Sequence, residues 1–376
     1  MFHDIPVLGA LSEKFLIVVL AVLCVMFLLC LLRLVLGPSV ADRLLAVNML
    51  GGIVTAAIAL LGLLPHASAD YIHWVDFRLS APVLRSALEL DMASQGGEQP
   101  LDWIDILALA AAWRGGTGVT VADTQRAAQA LRGDTPPERL PGMAGRCFSY
   151  YREAYGAALG GLVGHFAIRR TDPQTGEAEW IPAYGLKAFS PIAAGYPWSH
   201  YPDFGAQRSY GYARPHLGND ILGALGTPIC AVEGGTVEAL GWNRYGGWRI
   251  GIRSDDRKRY YYYAHLRKDT PYAEGLAVGQ RVQAGDVIGF MGRTGYSAQE
   301  NVNNIETVHL HFGLQLIFDE SQKECDSEIW IDVYPIIELL ASHCSSVARD
   351  PQTGRWERLY PYCDLDAEPL RSAAAR

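Results

Sequence analysis

Residues 308–318 read VHLHFGLQLIF, an apolar run carrying two histidines spaced two apart. Successive strand side chains point to opposite faces, so His309 and His311 share one face while Leu310 turns to the core. Working back along the chain, 259–266 is RYYYYAHL and 248–254 is WRIGIRS, with DDRK between them as a hairpin turn. His265 ends the aromatic strand. At least half of Tyr260 to Tyr263 is expected to pack inside, leaving the rest to a groove. The charges from Arg253 to Arg259 read as a solvated hairpin tip, with a polyanion-binding patch as the lesser alternative. PICAVEGGTVEALGW (228–242) and VIGFMGRTG (287–295) are punctuated in the same way, with Cys230 as a small core residue. Gly246 and Gly247 read as a tight turn. Short runs bounded by Gly or Asp are the mark of antiparallel strands, so this part of the chain is expected to be mainly antiparallel β.

The residues able to do chemistry fall in that part. RPHLGND (214–220) supplies an imidazole and a carboxylate four apart, His216 and Asp220. Pro215 and Gly218 argue for a loop running into a strand rather than a helix. Two imidazoles and one carboxylate suit a tetrahedral zinc site with a position left open for water. A metal there lowers the pKa of water and polarises a carbonyl. Two further histidines would be free to handle protons and the developing oxyanion. Arg214 is a candidate for a substrate carboxylate. His66, His73, His165, His200 and His343 have no expected ligand role.

The remainder divides sharply. Residues 81–90, 101–113, 120–131 and 148–162 read as helices broken by Gly115, Gly116 and TPPERLPG, forming a module without a catalytic constellation. Phe15 to Leu32 and Leu44 to Leu64 are uncharged runs of 18 and 21 residues. Each is long enough to cross about 30 Å of hydrocarbon, so two transmembrane helices are expected. Arg33 and Arg43 flank the short loop between them, which places that loop inside and everything after Leu64 outside. An oxidising exterior allows a disulfide among Cys325, Cys344 and Cys363. Across 376 residues, 40 acidic against 32 basic side chains give a net charge of −8, which argues against a general nucleic-acid binder.

Taken together, RPHLGND, YYYYAHL and VHLHFGL resemble, in order, the three motifs of the M23 (lysostaphin-like) zinc metallopeptidase family, over about 205–340. GTPICAVEGGTVEALGWNRYGGWRIGIRS and VGQRVQAGDVIGFMGRTG resemble the stretches that separate those motifs in the family. The resemblance implies a lysostaphin-like peptidase fold and hydrolysis of peptide bonds in cell-wall peptidoglycan. It implies His216, Asp220 and His311 as Zn2+ ligands and His265 and His309 as the catalytic pair, with their division of labour open. Residues 15–64 resemble the F subunit of multisubunit sodium/proton antiporters, with Gly37, Pro38, Asp42 and Arg43 matching its loop. The expected organisation is a membrane anchor with two transmembrane helices over 1–65, a helical module over 66–170, the peptidase domain over 171–345 and a C-terminal tail over 346–376. The expected partners are the peptidoglycan peptide, membrane lipid and membrane partner subunits. The expected location is the cell membrane with the catalytic domain extracytoplasmic. The rival readings are a non-catalytic wall-binding scaffold and an antiporter subunit carrying a passenger peptidase domain.

Overall fold

The structure, a computed structural model, describes residues 6–36, 39, 46–47, 49–50, 53–54, 71–171, 174–323 and 328–367. It divides into two compact units, Met1–Tyr71 and Ile72–Arg376.

The first unit contains the helix Pro6–Leu36. The expectation of two transmembrane helices is not met: among the described residues no helix is long and apolar enough to cross a membrane. A span needs about 20 consecutive apolar residues in one unbroken helix to cross about 30 Å of hydrocarbon. Most of Leu44 to Leu64, and most of the loop used to orient the helices, lie outside the described residues. The expected contacts with lipid and membrane subunits rested on the same two helices.

In the second unit an extended segment turns Val75, Phe77 and Leu79 inward at alternate positions. Four helices follow, Ala81–Ser94, Trp103–Arg114, Val121–Leu131 and Met143–Leu159. The Ala- and Leu-rich second of these is buried along nearly its whole length. Asp102 caps it by accepting from the Ile104 N–H at 2.7 Å. Gly115, at φ 64°, ends it, a conformation that costs glycine nothing. Thr120 and Asp123 form a reciprocal capping box on the third.

The chain then turns to β structure. Val163–Thr171 pairs with Ala178–Leu186 on one side and Tyr362–Asp364 on the other. An eight-stranded antiparallel sheet carries the site. Its order is Arg281–Val282, Gly235–Asn243, Gly247–Ser254, Arg259–Ala264, His309–Leu316, Asn219–Gly223 and Trp198–His200, and Ile329–Ile331 also pairs with His309–Leu316. The expected hairpin is present, but the charge run is not all solvated. Residues 255–258 are exposed, whereas Arg253 and Arg259 are buried. Each inward guanidinium meets a carboxylate: Arg253 donates to Glu320 at 2.7 Å and Arg259 to Glu233 at 2.7 Å. Cys344 carries a free thiol and Cys325 lies outside the described residues.

Candidate metal centre and active-site cleft

Strand register brings the predicted residues together. Asp220 pairs directly across the sheet with His311, and His311 pairs with Ala264 on its other side. His309, two residues back, shares that face with His311. Tyr261 and Tyr263 turn into the core, while Tyr260 and Tyr262 line the cleft above the same face. The cleft encloses about 270 Å³ and is lined by all five predicted residues, His216, Asp220, His265, His309 and His311.

Three donor atoms converge in it. His216 Nε2 lies 2.8 Å from His311 Nδ1 and 3.0 Å from Asp220 Oδ1, and the third edge, His311 Nδ1 to Asp220 Oδ1, is 3.2 Å. Among the described residues, these three form the group of ligand atoms close enough to hold one metal ion. Two imidazole nitrogens and a carboxylate oxygen are the donors of three-ligand catalytic zinc sites, so the residues fit the metal implied by the motifs. Burial alone would lower the His216 imidazole, but hydrogen bonds to Asp203 and Asp220 outweigh it and raise it to about 9. Burial would raise the Asp220 carboxyl, yet its bonds to His216 and His311 hold it far below the usual carboxylate range. Burial is the main cause that lowers His311.

The ligands are held from behind. His216 Nδ1 lies 3.1 Å from the Asp203 carbonyl and 3.2 Å from its carboxylate. Asn219 Nδ2 donates to Asp203 Oδ1 at 2.8 Å. Arg208 donates to both Asp203 (3.1 Å) and Asp220 (2.8 Å), tying the supporting carboxylate to the ligand carboxylate. His200 lies one step further out, 2.6 Å from Asn219 Oδ1. Sequence reading missed Asp203, Arg208 and Asn219. Asn219 stood inside a quoted motif, but Asp203 lies in a loop and Arg208 in a strand of two residues, too short to show a period.

The other two histidines differ from the ligands in their partners. His265 Nδ1 lies 2.9 Å from the Thr294 carbonyl and His309 Nδ1 lies 2.9 Å from the Thr307 carbonyl. A carbonyl can only accept, so each Nδ1 donates its proton and each neutral ring keeps Nε2 as the acceptor. Their ring centroids are 4.7 Å apart, and His309 Nε2 lies 3.7 Å from Asp220 Oδ1. His265 is buried at φ 61°, a left-handed conformation rare outside glycine and characteristic of functional sites. Burial, then the neighbouring His309 and His311, push its pKa well below the ordinary histidine value. Arg214, expected to face a substrate carboxylate, donates to the Tyr210 carbonyl at 2.6 Å and lies 4.6 Å from the Tyr245 ring centroid.

Residues 214–324 match the model of Peptidase family M23. The L-Ala–D-Glu endopeptidase of Bacillus subtilis (strain 168) is 40% identical over 130 residues, 35% of this chain and 38% of the relative. A glycyl-glycine endopeptidase of Staphylococcus capitis is 38% identical over 98 residues, 26% of this chain and 24% of the relative. The solved catalytic domain of the antimicrobial peptidase lysostaphin from Staphylococcus simulans is 30% identical, covering 38% of this chain and 92% of that one with a TM-score of 0.29. The chain thus spans less than two thirds of the length of these two endopeptidase relatives. The family match does not extend to the N-terminal residues that resemble an antiporter subunit. What it covers is residues 214–324, which hold all five predicted residues of the cleft, so this stretch of the chain matches peptidase family M23.

Proposed function

We propose that this protein is a zinc-dependent endopeptidase that hydrolyses peptide bonds of peptidoglycan, acting outside the cytoplasmic membrane where that polymer lies. The observation that carries the reading is the convergence of His216, Asp220 and His311 beside two histidines whose Nδ1 atoms are committed to carbonyls. When bound, zinc would polarise the scissile carbonyl and acidify the attacking water. His216, Asp220 and His311 would hold it, and Asp203 and Arg208 would keep His216 and Asp220 in place. His265 and His309 accept a proton from water at Nε2 and return it to the departing amine as the C–N bond breaks. The ring that takes the proton at Nε2 is the one that returns it, and the Nδ1 anchors fix both rings at the cleft. No side-chain nucleophile is needed, so no acyl-enzyme forms. The two similar endopeptidases support a substrate among peptidoglycan stems or bridges.

The test is digestion of purified sacculi by the full chain, scoring new amino groups against new reducing ends. The proposal expects amino groups without reducing ends. It also expects His309→Ala to slow their release by about 10²–10⁴-fold while zinc stays bound. Reducing ends, or full activity in His309→Ala, would refute it.

A further inference from the structure

We propose that Arg249 is the carboxylate-binding subsite of the cleft, taking an acidic residue of the substrate peptide near the scissile bond. The inference rests on the peptidase reading above and narrows its substrate class. Arg249 lines the same cleft as the five predicted residues. Its Nε is shielded from solvent and has no hydrogen-bond partner. A guanidinium stays charged and carries five donors, so a shielded donor left unmet calls for a ligand or another explanation.

The other cations of the cleft are already engaged. Arg208 bridges Asp203 and Asp220, Lys323 pairs with Glu238, and Arg214 is held by the Tyr210 carbonyl and the Tyr245 ring. Among the described residues, no carboxylate pairs with Arg249.

Its position is set by register. Ile250 pairs with Tyr263, which puts Arg249 beside Ala264, and Ala264 pairs with His311. Ile250 and Tyr263 are core residues, so Arg249 and Ala264 lie on the opposite face, the face of the histidines. Two strand spacings separate Arg249 from His311, about 10 Å. An extended peptide advances about 3.4 Å per residue, so a carboxylate held by Arg249 belongs to a residue within about three positions of the cut. The guanidinium fork matches a carboxylate with two parallel hydrogen bonds. A glutamyl residue keeps one carboxyl free whichever of its two forms the peptide bond, whereas glycine within a bridge has none. The geometry therefore favours acidic stem peptides over glycine bridges.

The experiment uses two synthetic peptides that differ only in a glutamyl carboxylate or its amide near the scissile bond. Binding to the metal-free full chain is measured by calorimetry, and kcat/KM on the zinc-loaded chain. The wild type should favour the acid by roughly tenfold or more in both readouts, and Arg249→Gln should bring the ratio near one. Arg249→Lys should retain part of the preference, and it is the variant to read if circular dichroism shows that Arg249→Gln does not fold. A wild type blind to the amide, full preference in Arg249→Gln, or preference lost only in Arg214→Gln would each overturn the subsite. Acid-selective binding without cleavage would strike the peptidase reading and leave the subsite standing.

Discussion

At the scale of single residues, the site depends on side chains that themselves touch no substrate. Asp203 receives His216 Nδ1 and is joined through Arg208 to Asp220, so one buried carboxylate orients a ligand and stabilises the arrangement of another. Such supporting bonds are typically worth 10–100-fold in metal affinity. Asp203→Ala is accordingly expected to weaken zinc binding by about that factor, measured by competition with a chromophoric chelator; unchanged affinity would show that His216 is held without it. Gly218 acts through absence. A Cβ there would lie 2.7 Å from His311 Cε1 and 2.7 Å from the Phe312 carbonyl. Gly218→Ala should therefore displace His311 and cost at least about tenfold in zinc affinity, while thermal unfolding stays cooperative. A variant that binds zinc like the wild type would contradict this.

At the scale of elements, the strands were legible because alternation leaves a mark on sequence. His309-Leu310-His311 and the four tyrosines each read as one face in and one face out, and the register obeys that division. Loops and two-residue strands leave no such mark, which is why Asp203 and Arg208 escaped notice. Charge patterning misled in a different way. Arg253 and Arg259 belong to a hydrophilic run, yet they lie within two strands beside the hairpin turn, and their partners are distant in sequence. Arg259 also donates to the Ala157 carbonyl at 2.8 Å, joining the end of the helix Met143–Leu159 to the sheet. Removing one partner of a buried pair strands the other. Arg259→Ala is expected to destabilise the fold by about 3–5 kcal/mol in urea titration, and pairing Arg259→Met with Glu233→Leu should recover much of the loss. The capping box gives a pH-dependent prediction. Burial would raise the Asp123 carboxyl, but its hydrogen bonds from Thr120 and Arg114 outweigh burial and lower it. A carboxyl with a depressed folded pKa contributes stability above its unfolded value near 3.9 and loses it as pH falls through the folded value. Asp123→Ala should cost about 1 kcal/mol at pH 7, and the gap to wild type should close below about pH 4; a gap independent of pH would show that ionisation is not involved.

At the scale of the whole molecule, the sequence divides where composition changes, but composition did not foretell every part. The apolar N-terminal runs read as two membrane spans, whereas the described residues contain no helix long and apolar enough for that role. Hydropathy reports how apolar a run is, and a span also needs an unbroken helix of sufficient length. The catalytic region was far more legible, because a metal site needs particular residue types and strand geometry fixes their spacing. Everything proposed for this region depends on three separated stretches of chain holding one zinc ion. Anomalous diffraction at the zinc edge, from crystals of the purified full-length protein, tests that most directly. A peak within bonding distance of His216, Asp220 and His311 and facing the cleft is expected. A zinc-loaded protein with no density at those side chains, or with its zinc bound elsewhere, would contradict it.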